Sequence, residues 1–144
     1  MKVFVDSSVL VAGCVMAHPH FNRAFSVMRD AAGDKLTAMI CAHSLVEVFS
    51  ALTSIPVKPR ITPGQAREMI RHNIEQHFSI IQPSRTVYRR AMDRCVARGQ
   101  SGGVVYDALL LECARSRKFD RLYTFNLGHF TRLAPELADK ITAP

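Results

Sequence analysis

The chain has 144 residues, 48% hydrophobic and 22% charged, which is long enough to bury a core and too apolar to stay disordered. No apolar run has the length of a membrane span, and Asp6 interrupts the N-terminus where a secretory leader needs its apolar stretch. One cytoplasmic domain over residues 1–144 is therefore expected, and its formal net charge of +7 suits a polyanionic partner, nucleic acid above all.

In chain order, Lys2–Val5 reads as a short strand, followed with no loop by a helix over Ser7–Met16. A second helix starts near Pro19 and runs to about Ala32, ended by Gly33. A strand then covers Lys35–Ile40, and a third helix lies around Leu45–Leu52. The Pro-rich connection Ile55–Pro63 ends in Thr62-Pro63, an N-cap and first-turn pair for a helix to about Gln76. Ser79–Ile81 is a third strand, and Ser84 caps a helix to about Arg98. The loop Gly99–Gly103 precedes a helix over Val105–Arg117. Leu122–Phe125 is a fourth strand and Lys140–Thr142 a fifth. Strands alternating with helices give an α/β fold with a mainly parallel sheet of four or five strands. Such sheets hold their ligands beyond the carboxyl ends of the strands.

Polar residues gather at those ends. Asp6 follows the first strand, either as a helix cap or as a functional acid. Glu47 lies in the apolar stretch Leu45-Val46-Glu47-Val48-Phe49, where a carboxylate needs a partner. Ser44-Leu45-Val46-Glu47 also fits a capping box, so both readings stand. Asp107 falls in the first turn of an apolar helix, where a negative charge is favourable in any case. Asn126 follows the fourth strand. Three acids at one sheet edge repel one another unless a cation lies between them. An all-oxygen donor set without Cys or His suits Mg²⁺ or Mn²⁺. An acidic metal pocket on a basic protein suits phosphodiester hydrolysis.

The stretches VFVDSSVLVA, SLVEVFSAL, YDALLLECA and LYTFNLGHF, in that order, resemble the successive motifs of PIN domains. In particular they resemble the VapC-type ribonuclease toxins of bacterial toxin–antitoxin pairs. The resemblance covers essentially the whole chain. It implies a three-layer α/β/α fold, metal-dependent RNA cleavage leaving a 5′-phosphate, a homodimer, and a small antitoxin whose C-terminal segment covers the site. It carries the acidic metal positions onto Asp6, Glu47 and Asp107. Ser8 and Thr124 match hydroxyls that, with Asn126, order the metal's waters. The family usually has Asp where this chain has Asn126, which weighs against a second metal ion.

The helix Arg85–Arg98 carries Arg90, Arg94 and Arg98 at four-residue spacing, one face that would guide RNA to the pocket. Tyr88, Ala91, Met92 and Cys95 make its core-facing stripe. Met28, Met39 and Met69 are read as core, and Phe21, Phe25 and Met28 share a helical face. The four cysteines form no C-x-x-C pair and are read as buried thiols. His18-Pro19-His20 reads as a turn, His43 has no assigned role, and His129 is a candidate contact for RNA. Two other readings remain: a catalytically weak PIN-like module that binds RNA or protein, and a phosphatase using Asp6 as nucleophile. The latter is disfavoured because such enzymes need a second Asp where Ser8 stands.

Overall fold

The computed structural model describes residues 1–144. Five strands, β1 (Lys2–Val5), β2 (Thr37–Cys41), β3 (Ser79–Ile81), β4 (Arg121–Tyr123) and β5 (Ile141–Thr142), form one sheet. Its order is β3-β2-β1-β4-β5, and every pairing is parallel. Seven helices connect the strands: α1 (Ser7–Cys14), α2 (Phe21–Ala32), α3 (His43–Ser54), α4 (Pro63–Ile70), α5 (Arg85–Ala97), α6 (Val104–Arg115) and α7 (Leu127–Leu133).

The strand side chains explain the layers. Alternate residues of a strand point to opposite faces. Val3 and Val5 of β1, with Ala38 and Ile40 of β2, join one core cluster with α1 to α4. Phe4, Met39 and Cys41 join a second cluster with α5, α6 and α7. The central strands are thus buried on both faces, as a parallel sheet requires. The chain runs outward from β1 to β2 and β3, then returns to the other side for β4 and β5. The strand order therefore reverses between β1 and β4, and a crevice opens there at the strand carboxyl ends.

Helix packing departs from the expected boundaries in a few places. At Gly13, an added Cβ would displace the Met28 side chain, so α1 and α2 approach closely there. The left-handed residue after α2 is Asp34 (φ 57°), not Gly33. The fourth helix continues into one π-helical turn, Arg71–Glu75. Thr62 and Gln65 form the full reciprocal cap at its start. Helix α7 was not expected at all, and β4 stops at Tyr123, which frees Thr124 for the site. Met28 and Met39 are buried, but Met92 is not. Tyr88 and Met92 remain exposed beside the buried Ala91 and Cys95, so only half of the α5 stripe reaches the core. No helix is long and apolar enough to cross a membrane.

Candidate active site

β1 delivers Asp6 to the crevice. Its amide donates to the Tyr123 carbonyl at 2.9 Å, extending the β1–β4 ladder by one step. Its carboxylate is 3% exposed, yet it accepts no bond from the amides of α1, so it does not cap that helix. Instead Ser8 Oγ and Thr124 Oγ1 both donate to Asp6 Oδ2, at 2.7 and 2.8 Å. Those hydroxyls in turn accept the amides of Phe125 (3.1 Å) and Asn126 (2.9 Å). Hydrogen bonds to an ionised acceptor are the strong kind. The protons of Ser8 and Thr124 are committed to Asp6, so these residues fix a carboxylate where water ordering was expected.

Glu47 lies in the second turn of α3. That helix begins at His43, one residue before Ser44, and no side chain caps it. The capping box is therefore absent, and Ser44 Oγ is buried without a partner. Glu47 faces the crevice instead. Burial first, then the charges of Asp6 and Asp107, push its carboxyl up to about 7. Asp107 occupies the first turn of α6. Burial and the Asp6 charge push it up to about 6, against the pull of His129. The three acids thus share one electrostatic site, and none of them pairs with a lysine or arginine.

Two histidines stand where cations are missing. His129 Nδ1 lies 3.1 Å from Asp107 Oδ2, and His43 Nε2 lies 4.0 Å from Glu47 Oε1. His129 therefore meets an acid while its ring stays half exposed. The spacing of His43 four residues before Glu47, one helical turn, was the available signal for that pair. Asn126 stands at the start of α7 with its side chain exposed. It lines an open cavity of about 550 Å³ with Ser7, Ser8, His20 and Glu47. His18 and His20 make the expected turn, with the His20 amide donating to His18 Nδ1 at 3.1 Å.

The arginine face needs a correction. Arg94 is largely buried. It donates to Glu112 Oε1 (2.6 Å), the Leu133 carbonyl (2.8 Å) and Glu136 Oε1 (2.8 Å). Arg98 lies 3.6 Å from Glu136. Arg94 thus ties α5 to α6 and to the turn after α7, and only Arg90 of the three is free of carboxylates. The buried Glu112, a single acid in the apolar run of α6, draws Arg94 inward, because an unpaired buried charge is costly.

The acid set has the chemistry of a hard-cation site. No three His, Cys, Asp or Glu side chains close into a cage around a point. An open arrangement fits Mg²⁺, which keeps several waters and takes only one or two carboxylates. One or two of Asp6, Glu47 and Asp107 could hold it directly, with water filling the remaining positions.

Without a cation, the raised carboxyls set a pH dependence of stability. Glu47 rises from 4.5 to about 7 and Asp107 from 3.8 to about 6. The folded state therefore binds protons that the unfolded state has released. Their contribution is complete below about pH 4 and is lost as pH rises through about 7. In EDTA, the wild-type thermal midpoint should fall from pH 5 to 7.5 more steeply than that of Glu47→Gln. A divalent ion at pH 7.5 should restore it. Parallel curves for the two proteins would contradict the assignment.

The PIN domain profile matches residues 3–135. Ribonuclease VapC40 of Mycobacterium tuberculosis, in two strains, is 28% identical over 105 residues, which is 73% of this chain and 72% of that protein. The crystal structure of Mycobacterium tuberculosis VapC20, titled a sarcin-ricin loop cleaving toxin, matches with a TM-score of 0.70. The match covers 88% of this chain and 92% of that one, at 16% identity, a likeness of fold. With the profile spanning nearly all the chain, the protein belongs to the PIN-domain family.

Proposed function

We propose that the chain is a divalent-metal-dependent endoribonuclease of the VapC type, a toxin neutralised by a small antitoxin protein and active as a homodimer. The observation that carries this reading is the cluster Asp6, Glu47 and Asp107, crowded at a sheet edge with no lysine or arginine beside it, on a chain of net charge +7. Its similarity to a ribonuclease VapC40 supports the reaction class.

Asp6, Glu47 and Asp107 would hold the ion, directly or through water. When bound, such an ion activates water and neutralises charge on the reacting phosphate. The chain's own contribution is positional and electrostatic. Ser8 and Thr124 hold Asp6 in one orientation through Oδ2, so its place does not depend on a cation. Glu47, pushed up to about 7, keeps a proton part of the time near neutrality and would release it as positive charge enters, whereas Asp107, at about 6, is largely ionised there. Asn126 offers a neutral amide at the cavity rim, able to orient a water or a phosphate without adding repulsion. Arg90 supplies an exposed positive charge for the RNA backbone. Water adds to phosphorus, the bond to the 3′ oxygen breaks, and the product carries a 5′-phosphate.

The test is cleavage of end-labelled RNA by the purified protein. Mg²⁺ or Mn²⁺ should produce discrete fragments with 5′-phosphates, and EDTA should abolish them. RNA binding without fragments in either metal would reject the nuclease and favour a binding module.

A further inference from the structure

Two of the four cysteines meet on one face of the sheet. Cys41 ends β2, and Cys113 lies in the last turn of α6. Both belong to the core cluster on the α5, α6 and α7 side, and they are 1% and 0% exposed. Ile81 joins them. Cys41 pairs with Ile81 in the β2–β3 register. The Ile81 carbonyl accepts the Ala42 amide at 2.9 Å and the Cys113 thiol at 3.7 Å. The Cys113 sulfur therefore stands over the end of β2, within hydrogen-bonding reach of the Cys41 sulfur.

Burial alone makes a thiol inert, but the surroundings of Cys41 set it apart. Helix α3 begins two residues later, and no side chain caps it. Its first amides, those of His43 and Ser44, reach the Cys41 sulfur instead. A helix N-terminus stabilises a thiolate. The hydrogen bond from Cys113 first, then these two amides, hold the Cys41 thiol below its ordinary range, against burial and the charge of Glu47. Cys113 is pushed the other way, by the same hydrogen bond and by burial, and keeps its proton. Cys14 and Cys95 are also raised, chiefly by burial. One thiol of the four is thus activated, with a protonated thiol beside it. Ser44 adds a further group. Its amide is on Cys41, and its Oγ is buried without a partner, where buried polar groups ordinarily have one. That hydroxyl is free to donate to an oxygen atom arriving at the sulfur.

A thiolate with a second thiol in reach is the arrangement that a peroxide converts to a disulfide. First the Cys41 sulfur attacks one oxygen of hydrogen peroxide. An S–O bond forms and the O–O bond breaks. The departing oxygen takes the proton that Cys41 gave up and leaves as water. Then the Cys113 sulfur attacks the sulfenic acid. The S–S bond forms, the S–O bond breaks, and the hydroxyl leaves as water with the Cys113 proton. Two thiols are oxidised and one peroxide is reduced. Burial sets the size limit. Hydrogen peroxide is little larger than water, whereas a bulky disulfide oxidant does not reach either sulfur.

The new bond would lie between two of the acids. Cys113 shares α6 with Asp107, and Cys41 leads into α3, which carries Glu47. A covalent bond is shorter than the contact it replaces. Closing it draws α6 against the end of β2 and changes the spacing of Asp107 and Glu47. A displacement of about 1 Å in a reacting constellation can cost on the order of 10²-fold in rate. We propose that Cys41 and Cys113 form a reversible disulfide on exposure to hydrogen peroxide, and that this bond lowers turnover at the acid cluster. The second half rests on the ribonuclease reading above.

The experiment treats the full chain with hydrogen peroxide in EDTA and then removes the peroxide with catalase. Remaining thiols are alkylated under denaturing conditions, and the peptides are mapped by mass spectrometry. The Cys41 and Cys113 peptides should be joined, with Cys14 and Cys95 alkylated, and dithiothreitol should separate them. Glutathione disulfide at the same concentration should leave all four thiols free. Cys113→Ser, its fold checked by circular dichroism, should form no disulfide and should hold Cys41 as a sulfenic acid that dimedone traps. With Mg²⁺ added, the oxidised wild type should cleave RNA at least about tenfold more slowly in single turnover than the reduced protein. Dithiothreitol should restore the rate.

Four free thiols after peroxide would overturn the proposal. So would oxidation of Cys14 or Cys95 ahead of the pair. A Cys41–Cys113 disulfide with unchanged cleavage would overturn the switch. If the reduced protein cuts no RNA in either metal, the ribonuclease reading fails, while the peptide map still decides the disulfide.

Discussion

Asp6→Asn should lower RNA cleavage on the order of 10³-fold, the equivalent of several kcal/mol of transition-state stabilisation from a correctly held ion. The fold should survive the change. The asparagine carbonyl can still accept from Ser8 and Thr124, so the hydroxyl pair that holds the side chain is retained. What disappears is a buried negative charge. Asp6 is among the groups that raise both Glu47 and Asp107, so those carboxyls should ionise more readily in the variant. The thermal midpoint in EDTA at pH 7.5 should stay level or rise. Single-turnover cleavage in Mg²⁺, set beside that midpoint, checks both halves. Activity within tenfold of wild type would remove Asp6 from the chemistry. A fall in midpoint matching the fall in rate would make its role structural.

Arg94→Ala should cost about 3 kcal/mol of stability, because removing one partner leaves a buried charge uncompensated. Glu112 is 6% exposed. Without Arg94 it keeps only Arg115, at 3.8 Å. The Leu133 carbonyl loses a donor and Glu136 one of its partners. Arg90→Ala, on the same helix but free of carboxylates, should change stability by less than about 0.5 kcal/mol. RNA should sort the two in the opposite sense. Losing Arg90 should reduce the salt dependence of binding by about one phosphate contact, and losing Arg94 should leave it alone in protein that remains folded. Urea titrations and binding at two salt concentrations measure both. A stable Arg94→Ala protein that no longer binds RNA would restore the original reading of that face.

The arginine helix shows where sequence reasoning stops. Four-residue spacing places Arg90, Arg94 and Arg98 on one face, and that is local geometry. Whether a face meets solvent depends on Glu112 and Glu136, acids 18 and 42 residues beyond Arg94. The isolated Glu112 in ALLLECA was itself a sign that some cation had to come inward. The acids were easier to read, because Asp6 ends a strand and Glu47 and Asp107 lie in the opening turns of helices, and in a parallel α/β sheet those places face one edge. The hydroxyl clamp was not readable as a clamp. Ser8 and Thr124 are 116 residues apart, and only the β1–β4 pairing brings them together. Tyr88 and Met92 fitted a core stripe by period alone. They lie one position around the helix from Ala91 and Cys95, and no element covers them.

The clamp on Asp6 also bears on when the acid cluster becomes complete. Asp6 leaves the ribosome well before Thr124, which supplies one of its two holding hydroxyls from 118 residues further on, and before Asp107 as well. Chains fold as they emerge, N-terminal part first. A partial product could pair β1 with β2 and β2 with β3, yet it would have a loosely held acid and no complete cluster. On the reading proposed above, a site assembled in this order stays incomplete beside its own messenger until Thr124 has emerged and β4 has paired with β1.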